Sequence, residues 1–370
     1  MLADKSKGMV YFFIGTTAEL IKLFPVIREI ERRKIDFKII TSGQTTIDFN
    51  EVSTWIKKTS PDIALPGKAN ESSVFLFLIW TLKSLFISPL LLFKEFGRVN
   101  RAKSWFIVHG DTASSLIGAI ISKFFGLRLV HIESGLRSFN FREPFPEELS
   151  RFFVSKLADV HFCPNKWSID NLSDKDGEKI NTFQNTLIES CWLSLEKSKI
   201  LKGSTPKRKY FVLITHRQEH VVFGKEESKS IINYVLKNFG PGLSCLFVTH
   251  ATTSKFLKAV NFNFSLWKKR RVKFSPRLNY GDFMALLKGA EFIVTDGGSN
   301  QEEAYYLGLP CLLLRRQTER IEGLGENVVL AGEDRALIKS FLRNHSKYKR
   351  NPVRPKIRPS TIIVDYLVKN

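Results

Sequence analysis

Short apolar runs alternate with longer segments of helical period through almost the whole chain, and this alternation constrains the fold more than any single motif. "MVYFFIG" precedes "AELIKLFPVIREIERRK". "FKIITSG" and "SWFIVHG" follow, then "TASSLIGAIISKFFG", "LRLVHIESG", "PEELSRFFVSKLA" and "DVHFCP". The runs are short and rich in β-branched and aromatic residues, whereas the segments between them repeat apolar residues every three to four positions. That grammar predicts βαβ units on a parallel sheet, with a first doubly wound sheet ending near Pro164. A second series opens at "KYFVLITHR". It continues through "LSCLFVTHA", "VKFSPR", "YGDFMALLKGA", "EFIVTDGG" and "SNQEEAYYLG" to "LPCLLLR". "RALIKSFLRNHSKYK" reads as a helix, and the final "RPSTIIVDYLVKN" as a helix or a strand. The 370 residues suit two domains. The predicted class is α/β, two Rossmann-like doubly wound domains facing across a cleft. The expected limits are 1–185, 186–345, and a 346–370 segment packing back on the first domain.

Fifty-seven Lys and Arg against 36 Asp and Glu give a formal charge of +21. Such an excess favours nucleic acid, acidic lipid or phosphorylated small molecules. Zinc-finger spacings and RNP-like aromatic motifs are absent from the sequence, so nucleic acid is not expected as a partner. The four cysteines lack C-x-x-C spacing and no metal-ligand cluster is apparent, so neither metal nor cofactor is expected. "MLADKSKGMVYFFIG" passes from a charged stub into a strand-like run without a signal-peptide pattern, and a reduced, cytoplasmic protein is expected.

One stretch departs from the pattern. "VFLFLIWTLKSLFISPLLLF", Val74 to Phe93, is apolar nearly all round and approaches the ~20 residues that cross a bilayer. Lys83 and Pro89 argue against a span, which would also split a sheet across the membrane. The other readings are an interfacial patch, with Lys83, Lys94, Arg98, Arg101 and Lys103 meeting acidic lipid at the inner face of the membrane, and a buried helix or subunit contact.

In open α/β sheets the ligand lies beyond the carboxyl ends of the strands. In the first half those ends carry "GTTAE", "SGQ", "HGDT" and "IESGLRS", and in the second half "THRQE", "TH" and "TDGGSNQEE". Asp111 suits an N-cap as well as a site. Glu133 directly follows the buried run "LVHI". Glu147 opens a helix after Pro146, where the helix dipole alone favours an acid. Together the three carboxylates suit proton transfer, since burial and mutual repulsion separate their pKa values. In "TDGGSNQEE" the backbone at Gly298, Ser299 and Asn300 suits a diphosphate at a helix N-terminus, and Glu303 suits ribose hydroxyls. His216 and Arg217 add donors to the second half.

"GTTAELIKLFPVI", "SGQ", "VHGDTASSL", "HIESGLRS", "PFPEELSR", "LADVHFCP", "THRQE", "TDGGSNQEEAYYLGLPCLLLR" and "TERIE" resemble, in order and spacing, the motifs of the non-hydrolysing UDP-N-acetylglucosamine 2-epimerases. The resemblance runs from about Gly15 to about Gly332. It implies the GT-B fold and inversion of C2 of a UDP-sugar: UDP is eliminated with loss of the C2 proton, leaving a 2-acetamidoglucal. UDP then re-adds after protonation from the opposite face. Asp111, Glu133 and Glu147 match the family's catalytic carboxylates, and His216 its diphosphate-contacting histidine. Gly297 and Glu303 match its UDP-binding segment. The resemblance also implies a homodimer and a ManNAc-type product for surface polysaccharide.

The chain departs from the family at several positions. Thr17 and Ala18 replace the Arg-Pro of "GTRPE", leaving Lys22 or another basic side chain to face the phosphates. Thr45 stands for the histidine of "TGQH", and "LPGK" for an "RPGQ"-like stretch, so control by a second substrate molecule is expected to be lost or altered. The Thr17 substitution, the apolar Val74–Phe93 segment and the basic charge leave a second reading: a GT-B glycosyltransferase using a UDP-sugar and a lipid-linked acceptor. A UDP-sugar-binding protein without activity is a third.

Overall fold

The structure, a computed structural model, describes residues 8–69, 73–97, 99–141, 146–197, 208–215 and 224–370. The chain forms two compact units, Met1–Ser190 with Pro355–Asn370, and Cys191–Arg354.

In unit 1 the elements are β1 (Val10–Ile14), α1 (Thr17–Arg32), β2 (Phe37–Thr41), β3 (Ile63–Ala64), α2 (Val74–Phe96), β4 (Trp105–His109), α3 (Ala113–Phe124), β5 (Arg128–Ile132), α4 (Glu147–Leu157), β6 (Val160–Cys163), α5 (Lys166–Asp170) and β7 (Glu178–Asn181). Helix α6 (Leu187–Lys197) then leads into the second unit. The strands form one sheet in the order β3-β2-β1-β4-β5-β6-β7. Every pairing is parallel, with Val10 beside Phe37 on one side and Trp105 on the other. Strands β1 and β4 are buried along their whole length, which is why they are continuous apolar runs rather than alternating ones. Tyr11 and Phe106 from these strands pack against Phe96 of α2, and Phe13 packs against Phe106 in the same core.

The sheet does not end at Pro164, as the apolar pattern predicted. It runs on through α5 to β7, whose sequence is Glu-Lys-Ile-Asn. An edge strand is half solvated and carries charge, so it leaves no apolar run to read. The C-terminal segment settles as a helix, α13 (Pro359–Lys369), on unit 1. Glu189 accepts hydrogen bonds from Ser360 N and Oγ, both at 2.7 Å, and Trp105 Nε1 donates to Leu367 O at 3.0 Å.

Unit 2 contains β8 (Tyr210–Ile214), α7 (Lys225–Asn238), β9 (Ser244–Thr249), α8 (Ala251–Ala259), α9 (Phe264–Lys269), β10 (Val272–Pro276), α10 (Tyr280–Lys288), β11 (Ile293–Thr295), α11 (Gly298–Leu307), β12 (Cys311–Leu313), β13 (Val328–Leu330) and α12 (Arg335–Asn344). Its parallel sheet has the order β10-β9-β8-β11-β12-β13, the Rossmann arrangement of two half-sheets wound outward from a central pair. Stacked Phe211 and Phe292, 4.6 Å apart, and buried Trp267 fill its core. In each unit the strand order reverses at one place, between β1 and β4 and between β8 and β11. A crevice opens at such a reversal, because the helices on either side lie on opposite faces of the sheet.

Candidate active site

At the reversal in unit 1, Gly15 follows the last residue of β1 and leads into α1. Thr16 caps the helix through a reciprocal capping box: its side chain accepts from Glu19 N, and Glu19 Oε2 accepts from Thr16 N. Glu19 also accepts from Gly15 N at 2.5 Å and from the Thr112 hydroxyl across the crevice. Burial raises its pKa from 4.5 to about 7, against these hydrogen bonds and with a smaller push from Asp111. Gly15 has no room for a side chain, since a Cβ would lie 2.1 Å from Ser114 Oγ. That serine is held by Ser42 Oγ at 2.6 Å and Gln44 Oε1 at 2.7 Å, so the "SGQ" stretch closes onto the first turn of α3. Thr17 is buried and accepts from Asp48 N at 3.0 Å, a loop-tying role.

One turn further along α1, Lys22 Nζ lies 3.0 and 2.9 Å from the two Glu133 oxygens. Glu133 follows β5 in the left-handed region, at φ +64°, which costs about 1–3 kcal/mol for a residue with a side chain. The ammonium of Lys22 and the Asn185 amide both bond its carboxylate, and His109 Nε2 is 3.9 Å away. Behind it, His131 Nε2 meets Gly110 O at 2.8 Å, and Ser134 Oγ bridges His131 Nδ1 and His161 Nδ1 at 2.9 Å each. Burial lowers the pKa of His131 to about 3 and of His161 to about 4, so both rings are neutral near pH 7. The outer nitrogen of each ring faces a carbonyl, Gly110 O or Asp176 O, and must donate. Both Nδ1 atoms therefore accept, and the single Ser134 proton serves one ring at a time.

Asp111 follows β4, the neighbour of β5, and bonds the Arg151 guanidinium. Arg151 Nη1 also donates to Glu148 Oε2 at 3.1 Å. Glu148 is fully buried and further accepts from Arg137 Nε at 2.5 Å and from Ser138 and Phe139 backbone N–H groups. This network fixes the start of α4, where Glu147 is the first residue and only partly buried.

In unit 2, α11 starts after β11 with Gly297 as N-cap and no side-chain cap. Its first turn therefore presents backbone donors, the arrangement that receives anions. Thr295 Oγ1 accepts from Gly297 N at 3.0 Å and donates to Asn300 Oδ1 at 3.1 Å, and Asn300 Nδ2 donates to Glu303 Oε2 at 2.7 Å. The turn is close-packed from below: a Cβ on Gly298 would lie 2.7 Å from Glu319 Oε1 and 2.9 Å from Arg320 Nε. Those side chains belong to buried ion pairs, Arg315–Glu319 at 2.7 Å and Arg320–Glu302 at 2.8 Å.

Of the residues singled out from sequence, Asp111 and Glu133 stand at the carboxyl ends of adjacent strands, and Glu147 opens the helix that Arg151 ties to Asp111. Gly297, Gly298 and Ser299 open α11. Glu303, expected to meet ribose hydroxyls, is buried with Asn300 on one carboxylate oxygen. Lys22, expected to face phosphates, has its ammonium on Glu133. His216 and Arg217 lie outside the described residues. The residues sequence reasoning missed are Arg151, Glu148, Asn185 and the His131–Ser134–His161 chain. Only Glu148–Arg151, at i,i+3 on one helix, had a local signal.

The sequence profile of the UDP-N-acetylglucosamine 2-epimerase family matches residues 98–358. The chain is 32% identical over 340 residues to the UDP-N-acetylglucosamine 2-epimerase of Methanococcus maripaludis, covering 87% of each chain. It is 31% identical over 362 residues to the enzyme of that name from Methanocaldococcus jannaschii, covering 92% of this chain and 93% of the relative. The crystal structure of the Methanocaldococcus jannaschii UDP-GlcNAc 2-epimerase in complex with UDP-GlcNAc and UDP superposes with a TM-score of 0.84 at 27% identity, covering 98% of this chain and 100% of that one. With these matches spanning both Rossmann-like units, the chain belongs to the UDP-N-acetylglucosamine 2-epimerase family.

Proposed function

We propose that the chain inverts C2 of UDP-N-acetylglucosamine, or of a close UDP-2-acetamido sugar, by elimination and re-addition of UDP. The C2 proton is weakly acidic, so its removal must accompany cleavage of the C1–O bond, whose electron pair leaves with the diphosphate. The proton passes to a carboxylate, and the product is a 2-acetamidoglucal. Re-addition forms the C1–O bond again while a proton reaches C2 from the opposite face. Two differently placed acid–base groups are needed, and Asp111, Glu133 and Glu147 on unit 1 are the candidates. Charge developing on the leaving diphosphate is stabilised by the N–H groups at Gly298 and Ser299, with no reorganisation at the moment of bond cleavage. The single observation that carries the reading is the carboxylate pair on adjacent strands β4 and β5, each held by a cation, Asp111 by Arg151 and Glu133 by Lys22. A transferase to a lipid acceptor has no use for proton transfer at C2, and the family assignment also favours the epimerase. The product suits surface polysaccharide synthesis, and the four buried free cysteines suit a reducing compartment.

The test is incubation with UDP-N-acetylglucosamine in deuterated water, followed by proton NMR. Deuterium at C2 in both epimers is expected. Retention of the C2 proton during epimerisation, or UDP release that requires an added acceptor, refutes the reading.

A further inference from the structure

A chain of buried polar side chains runs through unit 2 to the first turn of α11. It begins at Cys191, the first residue of the unit, whose Sγ lies 3.3 Å from the Tyr280 hydroxyl. That hydroxyl also hydrogen-bonds the Glu303 carboxylate, which Asn300 Nδ2 reaches at 2.7 Å. Asn300 Oδ1 accepts from Thr295 Oγ1, and Thr295 Oγ1 accepts from Gly297 N. Cys191 is fully buried, and Tyr280, Asn300 and Glu303 are buried too. Tyr280 is fixed by its own helix as well. It is the first residue of α10, and Asn279 caps that helix by accepting from Asp282 N at 2.9 Å.

Chemistry fixes the order of the protons in this chain. Burial raises the pKa of the Tyr280 hydroxyl well above its ordinary value, with smaller pushes from Cys191 and Glu303. Burial raises that of the Cys191 thiol as well, so both groups keep their protons near pH 7. A carboxylate only accepts, so Tyr280 donates its O–H to Glu303, and Cys191 donates its weaker S–H to the Tyr280 oxygen. The two oxygens of a carboxylate offer about four acceptor positions, enough for two protein donors and both hydroxyls of a vicinal diol. Hydrogen bonds to a charged acceptor are the stronger kind, and donors that are themselves packed in place fix the direction in which it points. Since the same chain reaches Gly297 N, one network sets both the carboxylate and the turn that presents the backbone N–H groups.

We propose that Tyr280 is a positioning residue for the nucleoside: its hydroxyl aims Glu303 at the ribose 2′- and 3′-hydroxyls, and so makes unit 2 select a ribonucleoside diphosphate over one that lacks them. A site built to hold hydroxyl groups rejects the analogue without them, because its own buried polar atoms are then left unpaired. Tyr280 acts through Glu303 rather than on the ligand. The inference rests on reading Glu303 as the ribose acceptor of a UDP-binding unit, and goes beyond it in naming the group that orients the carboxylate. It does not depend on which reaction follows binding.

The experiment is calorimetry of the full chain with UDP and with 2′,3′-dideoxy-UDP, for the parent and for Tyr280→Phe, Cys191→Ala and Glu303→Gln. The parent is expected to prefer UDP by about 100-fold or more. Tyr280→Phe is expected to weaken UDP by about ten-fold and the analogue by less than about two-fold, so the preference shrinks. A change that only loosened the fold would weaken both ligands alike. Cys191→Ala opens space beside the same hydroxyl but leaves its bond to Glu303, and is expected to keep the parent preference. Glu303→Gln is expected to lose most of it. A Tyr280→Phe variant that keeps the parent preference, or that weakens both ligands equally, overturns the inference while leaving the ribose reading of Glu303 in place. An equal loss of preference in Cys191→Ala also overturns it, by assigning the effect to packing. A parent without preference, or a Glu303→Gln variant that retains it, overturns the ribose reading and this inference with it.

Discussion

Lys22→Met removes the cation of the buried ion pair that holds Glu133 and leaves a side chain of similar length. The two partners are 10% and 2% exposed, and both carboxylate oxygens are within 3.0 Å of the ammonium. An exposed pair of this kind contributes about 0–1 kcal/mol. Here solvent is largely excluded, so the relevant cost is that of leaving a buried carboxylate without its counter-ion, about 3–5 kcal/mol. Asn185 still bonds Glu133, which places the expectation toward the lower end of that range. With a urea dependence of roughly 2–3 kcal/mol per molar, the unfolding midpoint of unit 1 should fall by about 1–2 M. Adding Glu133→Gln in the same chain removes the orphaned charge and should recover most of the loss. The assay is urea denaturation of the parent, both single variants and the double variant, read as a double-mutant cycle. A loss below about 1 kcal/mol for Lys22→Met, or additive losses in the double variant, would refute the argument from burial.

Glu19 carries a pH dependence. Its folded pKa, about 7, exceeds the unfolded 4.5, so the native chain keeps a proton that the unfolded chain has released. Stability from this group is therefore present below pH 4.5 and is lost as pH rises to about 7, on the order of 3 kcal/mol in all. Glu19→Gln, which mimics the protonated form, should flatten that slope in urea midpoints compared at pH 5 and pH 8. Gly298→Ala places a methyl group 2.7 Å from Glu319 Oε1 and should weaken UDP binding by about ten-fold, measured by calorimetry. Gly118→Ala sets a Cβ 2.7 Å from the Phe13 ring, where α3 crosses β1, and should lower stability by about 1–3 kcal/mol in a thermal scan.

The βαβ order was legible because the central strands are buried on both faces. "WFIVH" and "YFVLI" contain no charged residue and have only five positions each, too short for a helix of ordinary length. Strand β7 was not legible, since a half-solvated Glu-Lys-Ile-Asn edge looks like a loop. Asp111 and Glu133 could be picked out because an acid at the end of an apolar run is locally anomalous. Their partners could not. Arg151 reaches Asp111 from 40 residues away, and Asn185 reaches Glu133 from 52. Such pairings exist only once the sheet has aligned β4, β5 and the segments after them. Lys22 shows the same limit: a basic side chain near a strand end could face phosphate or carboxylate, and only the fold assigns it to Glu133. Which side of α2 the core would take was hidden, because a helix apolar nearly all round does not reveal it.

The proposed reaction separates proton transfer by the carboxylates of unit 1 from diphosphate binding by unit 2. The most direct test is Glu133→Gln, assayed for UDP affinity by calorimetry and for deuterium incorporation at C2 of UDP-N-acetylglucosamine in deuterated water. Retained UDP binding with C2 exchange abolished is the predicted result. Exchange at the parent rate in that variant would contradict the account.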